Sequence, residues 1–61
     1  MNVNSAGAAE LETLPGIGPA TAAAIIDERE QNGPFATVDD LIRVTGIGEK
    51  KLAAIRDLVC V

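Results

Sequence analysis

The tripeptide Gly16, Ile17, Gly18 returns thirty residues later as Gly46, Ile47, Gly48, each time just before a segment that reads as a helix. The first amides of a helix have no internal acceptor, and the helix dipole places partial positive charge beside them. Together these make a site for an anion, and phosphate is the usual one. Glycine at 16, 18, 46 and 48 lets a phosphate oxygen reach the backbone without meeting a Cβ. One Gly-x-Gly turn is ordinary punctuation between helices, and that reading stays open for both copies. Two copies at a fixed spacing point to two phosphates held at a set separation, as on a nucleic-acid backbone. Contacts of that kind position a protein without reading sequence.

Lys50 and Lys51 follow the second turn, and Thr21 occupies the place in the first copy that Lys51 occupies in the second. Two lysines in the first turn of a helix oppose its dipole, which an anionic ligand would relieve. Other chemistries find little to work with. The chain has no His, Trp or Tyr, a single aromatic in Phe35 and a single cysteine in Cys60. Imidazole catalysis, base-stacking platforms and an internal disulfide are therefore excluded. No Ser or Cys nucleophile has a base nearby in the sequence, so an enzyme is not expected. Cys60 lies in the apolar run Leu58, Val59, Cys60, Val61 and reads as a small buried hydrophobe.

The elements that must carry these turns follow from the repeat. Residues 4–31 laid over 34–61 match at Ala6, Leu11, Gly16, Ile17, Gly18, Ala23, Ala24, Ile25 and Asp27. A fixed internal period sets the architecture before any local reading does. After an extended lead, residues 1–6, Gly7 and Glu10 have the spacing of a capping box for a first helix, about Ala8 to Thr13. Pro19 suits the first position of a second helix that runs to about Asn32, with Ala22, Ile25 and Ile26 on its core face. Gly33 and Pro34 end it. Thr37 caps a third helix, about Val38 to Arg43, with Asp39 and Asp40 in its first turn. A fourth runs from about Glu49 to Val59 with Leu52, Ile55 and Val59 inward and Leu58 beside them. Arg29 and Arg43 read as surface ion-pair residues. Each half is an amphipathic helix pair with little to bury alone. Facing each other across a pseudo-two-fold axis, the halves close one core from Leu11, Leu14, Ile17, Ile25, Phe35, Leu41, Val44, Ile47, Leu52 and Ile55. The expected fold is an all-α compact bundle. It forms one domain over residues 7–61, with motif one at about 8–32 and motif two at about 38–60.

Leu14-Pro15-Gly16-Ile17-Gly18 and Val44-Thr45-Gly46-Ile47-Gly48 resemble the two turns of the tandem helix-hairpin-helix family, over nearly the whole chain. The lead Val3 to Ala6, the stretch Ile25 to Arg29 and the linker Asn32 to Phe35 look more narrowly like the DNA-binding domain of the ComEA family of bacterial competence proteins. That resemblance implies a receptor for double-stranded DNA outside the cytoplasmic membrane, without sequence preference, acting in natural transformation. It implies that the amides of Gly16, Ile17, Gly18, Gly46, Ile47 and Gly48 hold phosphates on either side of the minor groove, with Lys50 and Lys51 adding charge at the second hairpin. It implies no cofactor, although hairpin carbonyls in this fold can hold a monovalent cation, Na⁺ or K⁺, beside the phosphate. The expected partners are the DNA phosphate backbone and other competence or membrane proteins, with no small-molecule substrate, and the expected state is a monomer. No stretch approaches the ~20 apolar residues of a membrane span, and no signal-peptide pattern precedes the domain, so an anchor is expected outside this chain.

One position departs from the family. A lysine typically follows the first hairpin within Pro-Ala-Lys-Ala, and this chain has Pro19, Ala20, Thr21, Ala22. A threonine hydroxyl can donate to a phosphate but exerts no long-range pull. Nine acids against five bases give a net charge of −4 and a pI near 4.4, which opposes binding to nucleic acid. Locally the balance reverses: Arg43, Lys50 and Lys51 against Glu49 sum to +2 around the second hairpin. DNA binding that is weak and salt-sensitive is the first expectation. If about three phosphates are neutralised, log K falls with log salt at a slope of roughly −2.7. A protein-interaction or structural module is the alternative, since members of this fold, among them an extrinsic subunit of photosystem II, have lost nucleic-acid binding.

Overall fold

The computed structural model describes residues 1–61. Its elements are helix α1 (Ala8–Leu11), helix α2 (Pro19–Asn32), a 3₁₀ helix (Val38–Arg43), helix α3 (Glu49–Ile55) and a second short 3₁₀ turn (Arg56–Leu58). Extended pairing is limited to one isolated parallel bridge between Asn2 and Cys60, so the fold is all-α as the sequence indicates. No helix is long and apolar enough to cross a membrane.

Several elements differ from their sequence expectation in hydrogen-bond register. The first helix stops at Leu11 rather than Thr13: the Thr13 amide reaches back three residues to Glu10 O at 3.0 Å, and its hydroxyl donates to the same carbonyl at 2.6 Å. The Gly7–Glu10 capping box does not form, because Gly7 has no side chain to reciprocate and its N-cap position carries no side-chain bond. The third helix has the expected bounds but is 3₁₀ throughout. At its start the Asp40 carboxylate accepts from the Ala36 and Thr37 amides, both at 3.2 Å. The fourth helix is α only to Ile55 and closes through the 3₁₀ turn, after which Val59 is extended. The C-terminal boundary of α2 is as expected, with Gly33 at φ +84°.

The ten expected core residues are all buried, and eight of them form equivalent pairs in the repeat: Leu11 with Leu41, Leu14 with Val44, Ile17 with Ile47, Ile25 with Ile55. Each member of a pair takes the same depth because each half presents the same apolar spacing to the other. Fully burying a Leu or Ile side chain contributes about 1.5–3 kcal/mol, so neither half, with its few such residues, is expected to be stable without the other. Phe35 fills the centre from the linker, and Arg43 stacks over its ring at 5.2 Å from the centroid. Buried polar side chains are absent.

The lead is folded rather than extended. Residues 2–6 form a turn in which the Ser5 and Ala6 amides donate to Asn2 O, at 3.2 and 2.9 Å. Val3 and Ala6 join the core. Arg29 is not in an ion pair: its Nη1 donates to the carbonyls of Val3 at 2.9 Å and Ala6 at 2.6 Å, tying the lead to α2. The chain ends meet, with the Val3 amide on Cys60 O at 2.9 Å and the Cys60 amide on Met1 O at 2.7 Å. That pairing forces extended backbone through Val59–Cys60, so Val59 points in and the neighbouring side chains alternate outward. Cys60 is consequently exposed, and Leu58 is 51 % exposed rather than set beside the core.

Candidate nucleic-acid interface

Both hairpins are built the same way. Gly16 and Gly46 sit at φ +78° and +99°, in the left-handed region that side chains disfavour. Reversing the backbone there brings the next amide home: Ile17 N–H donates to Leu14 O at 3.1 Å and Ile47 N–H to Val44 O at 3.0 Å. The two isoleucine side chains are buried, and they pin each turn to the core. Gly18 and Gly48 then act as N-caps in extended backbone, with nearly equal angles, φ −96° and −97°. Their carbonyls take the first helical bonds, from Ala22 at 2.9 Å and Leu52 at 3.0 Å.

What remains are donors without acceptors. The amides of Gly16, Gly18, Ala20 and Thr21, and those of Gly46, Gly48, Glu49, Lys50 and Lys51, donate to no other backbone group. The Ile17 and Ile47 amides, which the family resemblance places at the phosphates, are already engaged within the turn, so a phosphate there would share a donor. Ala20 and Glu49 were missed by motif reading; their position in the first helical turn is the signal that finds them. For Na⁺ or K⁺ the hairpins offer backbone carbonyls alone. No group of three His, Cys, Asp or Glu side chains is gathered anywhere in the fold, and the Leu14 and Val44 carbonyls already accept one bond each.

The two hairpins lie against each other in a reciprocal way. A Cβ on Gly46 would stand 3.2 Å from Oγ1 of Thr21, and a Cβ on Gly16 would stand 3.7 Å from Cγ and Cε of Lys51. Thr21 thus reaches across to the second turn, and Lys51 reaches across to the first. The pseudo-two-fold relation that equates residues 21 and 51 makes the two crossings counterparts.

The bases divide by whether they are committed elsewhere. Arg29 holds lead carbonyls. Arg43 pairs with Glu28 at 3.3 Å, and Arg56 with Asp39 at 2.9 Å. Lys50 and Lys51 have no carboxylate within ion-pair distance. The side-chain cations of this acidic domain that have no partner are therefore the two in the first turn of α3, whose own amides are unbonded.

Comparison with known proteins agrees with this geometry. The model of the helix-hairpin-helix motif family matches residues 1–60. The chain is 44 % identical over 61 residues to ComE operon protein 1 of Bacillus subtilis, covering all of this chain and 30 % of that protein. It is 43 % identical over 61 residues to the human endonuclease/exonuclease/phosphatase family domain-containing protein 1, covering 11 % of it. An uncharacterized protein of Haemophilus influenzae is 40 % identical over 60 residues, covering 97 % of this chain and 54 % of that one. In each case the chain spans at most about half the length of the relative it matches. With a family match that runs from the lead to Cys60 and two Gly-Ile-Gly turns closed by matching hydrogen bonds, the chain belongs to the helix-hairpin-helix family.

Proposed function

We propose that this domain binds double-stranded DNA without sequence preference, the two hairpins holding backbone phosphates. The observation that carries the reading is the occurrence together, at the two turns, of unbonded amides at Gly16, Gly18, Gly46 and Gly48 and of the two side-chain cations that have no partner, Lys50 and Lys51. Thr21 contributes a hydroxyl between the turns, and Ile17 and Ile47 anchor them. The function is binding rather than catalysis, with no cofactor and no small-molecule substrate, and the domain acts as a monomer. The likeness to ComE operon protein 1 supports a place in DNA uptake during competence, outside the cytoplasmic membrane and alongside other competence or membrane proteins. The relatives whose name carries an endonuclease/exonuclease/phosphatase family domain are matched over 11 % of their length. Gel mobility of two unrelated duplexes of equal length tests the reading: equal retardation supports it, and retardation of only one, or of neither, refutes it.

A protein-interaction role is the second reading. It is favoured by the net charge of −4 and by three large apolar side chains, Ile42, Leu58 and Val61, that are 43–51 % exposed.

A further inference from the structure

We infer that Lys51, a residue of the second motif, supplies the positive charge for phosphate binding at the first hairpin. The inference rests on the DNA-binding reading and assigns within it which cation serves which turn. Motif one has a single base, Arg29, and its guanidinium is occupied by the Val3 and Ala6 carbonyls. Around the first hairpin the residues Pro15, Pro19, Ala20 and Thr21 carry no charge. On local sequence the first turn is therefore an amide site with no cation.

The stem of Lys51 alters that. It crosses from α3 and lies over Gly16, with Cγ and Cε each 3.7 Å from where a Cβ would be, an ordinary packing distance. Lys51 is half-buried where Lys50 is exposed. A lysine whose stem is half-buried has less freedom left to lose on meeting a ligand, and a stem that lies over Gly16 makes this ammonium the one available to a phosphate at the first turn. Lys50, one residue earlier, is left to the second hairpin. In this arrangement each motif binds through its own amides, but charge is lent from the second to the first, so the two phosphate sites are coupled through one side chain.

The test compares Lys51→Met and Lys50→Met, which keep an unbranched stem and remove one charge each. Amide NMR shifts of Gly16, Gly18, Gly46 and Gly48 are followed to saturation with a random-sequence duplex of about 20 base pairs, and affinity is read from the same titration. Loss of one phosphate contact corresponds to roughly an eightfold weaker Kd at 0.1 M salt, from a slope of about 0.9 per contact. The expected result is that Lys51→Met reduces the DNA-induced shifts of Gly16 and Gly18 while those of Gly46 and Gly48 persist, and that Lys50→Met does the reverse. An unchanged thermal midpoint in Lys51→Met separates this from a packing defect. If Lys51→Met affects Gly46 and Gly48 and spares Gly16 and Gly18, the inference fails while the DNA-binding reading stands. If the wild-type glycine amides do not respond to DNA at all, both fail together.

Discussion

The side-chain amide of Asn4 pairs with the main chain of Phe35 at both ends, its Oδ1 accepting the Phe35 N–H at 2.7 Å and its Nδ2 donating to the Phe35 carbonyl at 3.1 Å. A residue of the lead thereby mimics a strand partner for the linker and sets the ring of Phe35 into the core. Asn4→Ala strands a part-buried donor and acceptor, and a loss of about 1–3 kcal/mol in unfolding free energy is expected. Urea denaturation checks this. DNA affinity, measured where the variant is folded, should not change, because Asn4 is remote from both turns in the chain and bonds only to the lead and linker.

That contact also marks where sequence reading stops. The apolar spacing of Leu11, Leu14, Ile17, Ile25 and their repeat partners was legible because core periodicity is local and the thirty-residue offset supplies it twice. The fit of Asn4 to Phe35, thirty-one residues away, has no local signature. Nor do the carbonyl contacts of Arg29, whose charge suggests an acidic partner. Whether Val38–Arg43 is α or 3₁₀ depends on a one-residue change in acceptor, to which residue types are nearly indifferent. Cys60 misleads because an apolar run reads as uniformly buried, whereas extended backbone alternates and exposes it. At the candidate site the motif glycines and lysines were legible. The crossing of Lys51 to Gly16 was not, since it exists only once the two halves are docked.

The glycines of each turn separate binding from folding. A Cβ at Gly18 or Gly48 meets nothing within 4 Å, and their backbone angles suit any residue. Gly18→Val and Gly48→Val are therefore expected to fold normally yet to lose DNA binding, because the branched side chain screens the amides. Circular dichroism with a DNA titration checks both halves of this expectation; wild-type affinity in a folded Gly18→Val protein would remove the amides from the mechanism. Gly46→Ala is different: at φ +99°, with Oγ1 of Thr21 at 3.2 Å from the new Cβ, a stability loss of about 1 kcal/mol or more is expected.

Reversing charge at both lysines tests how binding is driven. Lys50→Glu with Lys51→Glu should weaken binding at every DNA sequence alike and flatten its salt dependence, since phosphate contacts carry no sequence information. A variant that loses affinity for one duplex and retains it for another would indicate base readout and contradict the account.

Thr21→Lys restores a base to the first motif. By the pseudo-two-fold relation its stem should cross to the second turn as that of Lys51 crosses to the first. Tighter binding is expected, with the salt slope steeper by about 0.9. Anisotropy titrations at three salt concentrations measure both.

The most direct measurement of the central claim is fluorescence anisotropy of a labelled random-sequence duplex of about 20 base pairs, titrated with the domain at low salt and again at rising salt. The label is placed on the DNA because the protein has no Trp or Tyr. The account expects binding that is indifferent to sequence and declines with salt at a slope of roughly −2.7, as for about three phosphate contacts. Absence of binding at low salt and high micromolar protein would contradict it and would mean that the acidic surface prevails over the hairpins.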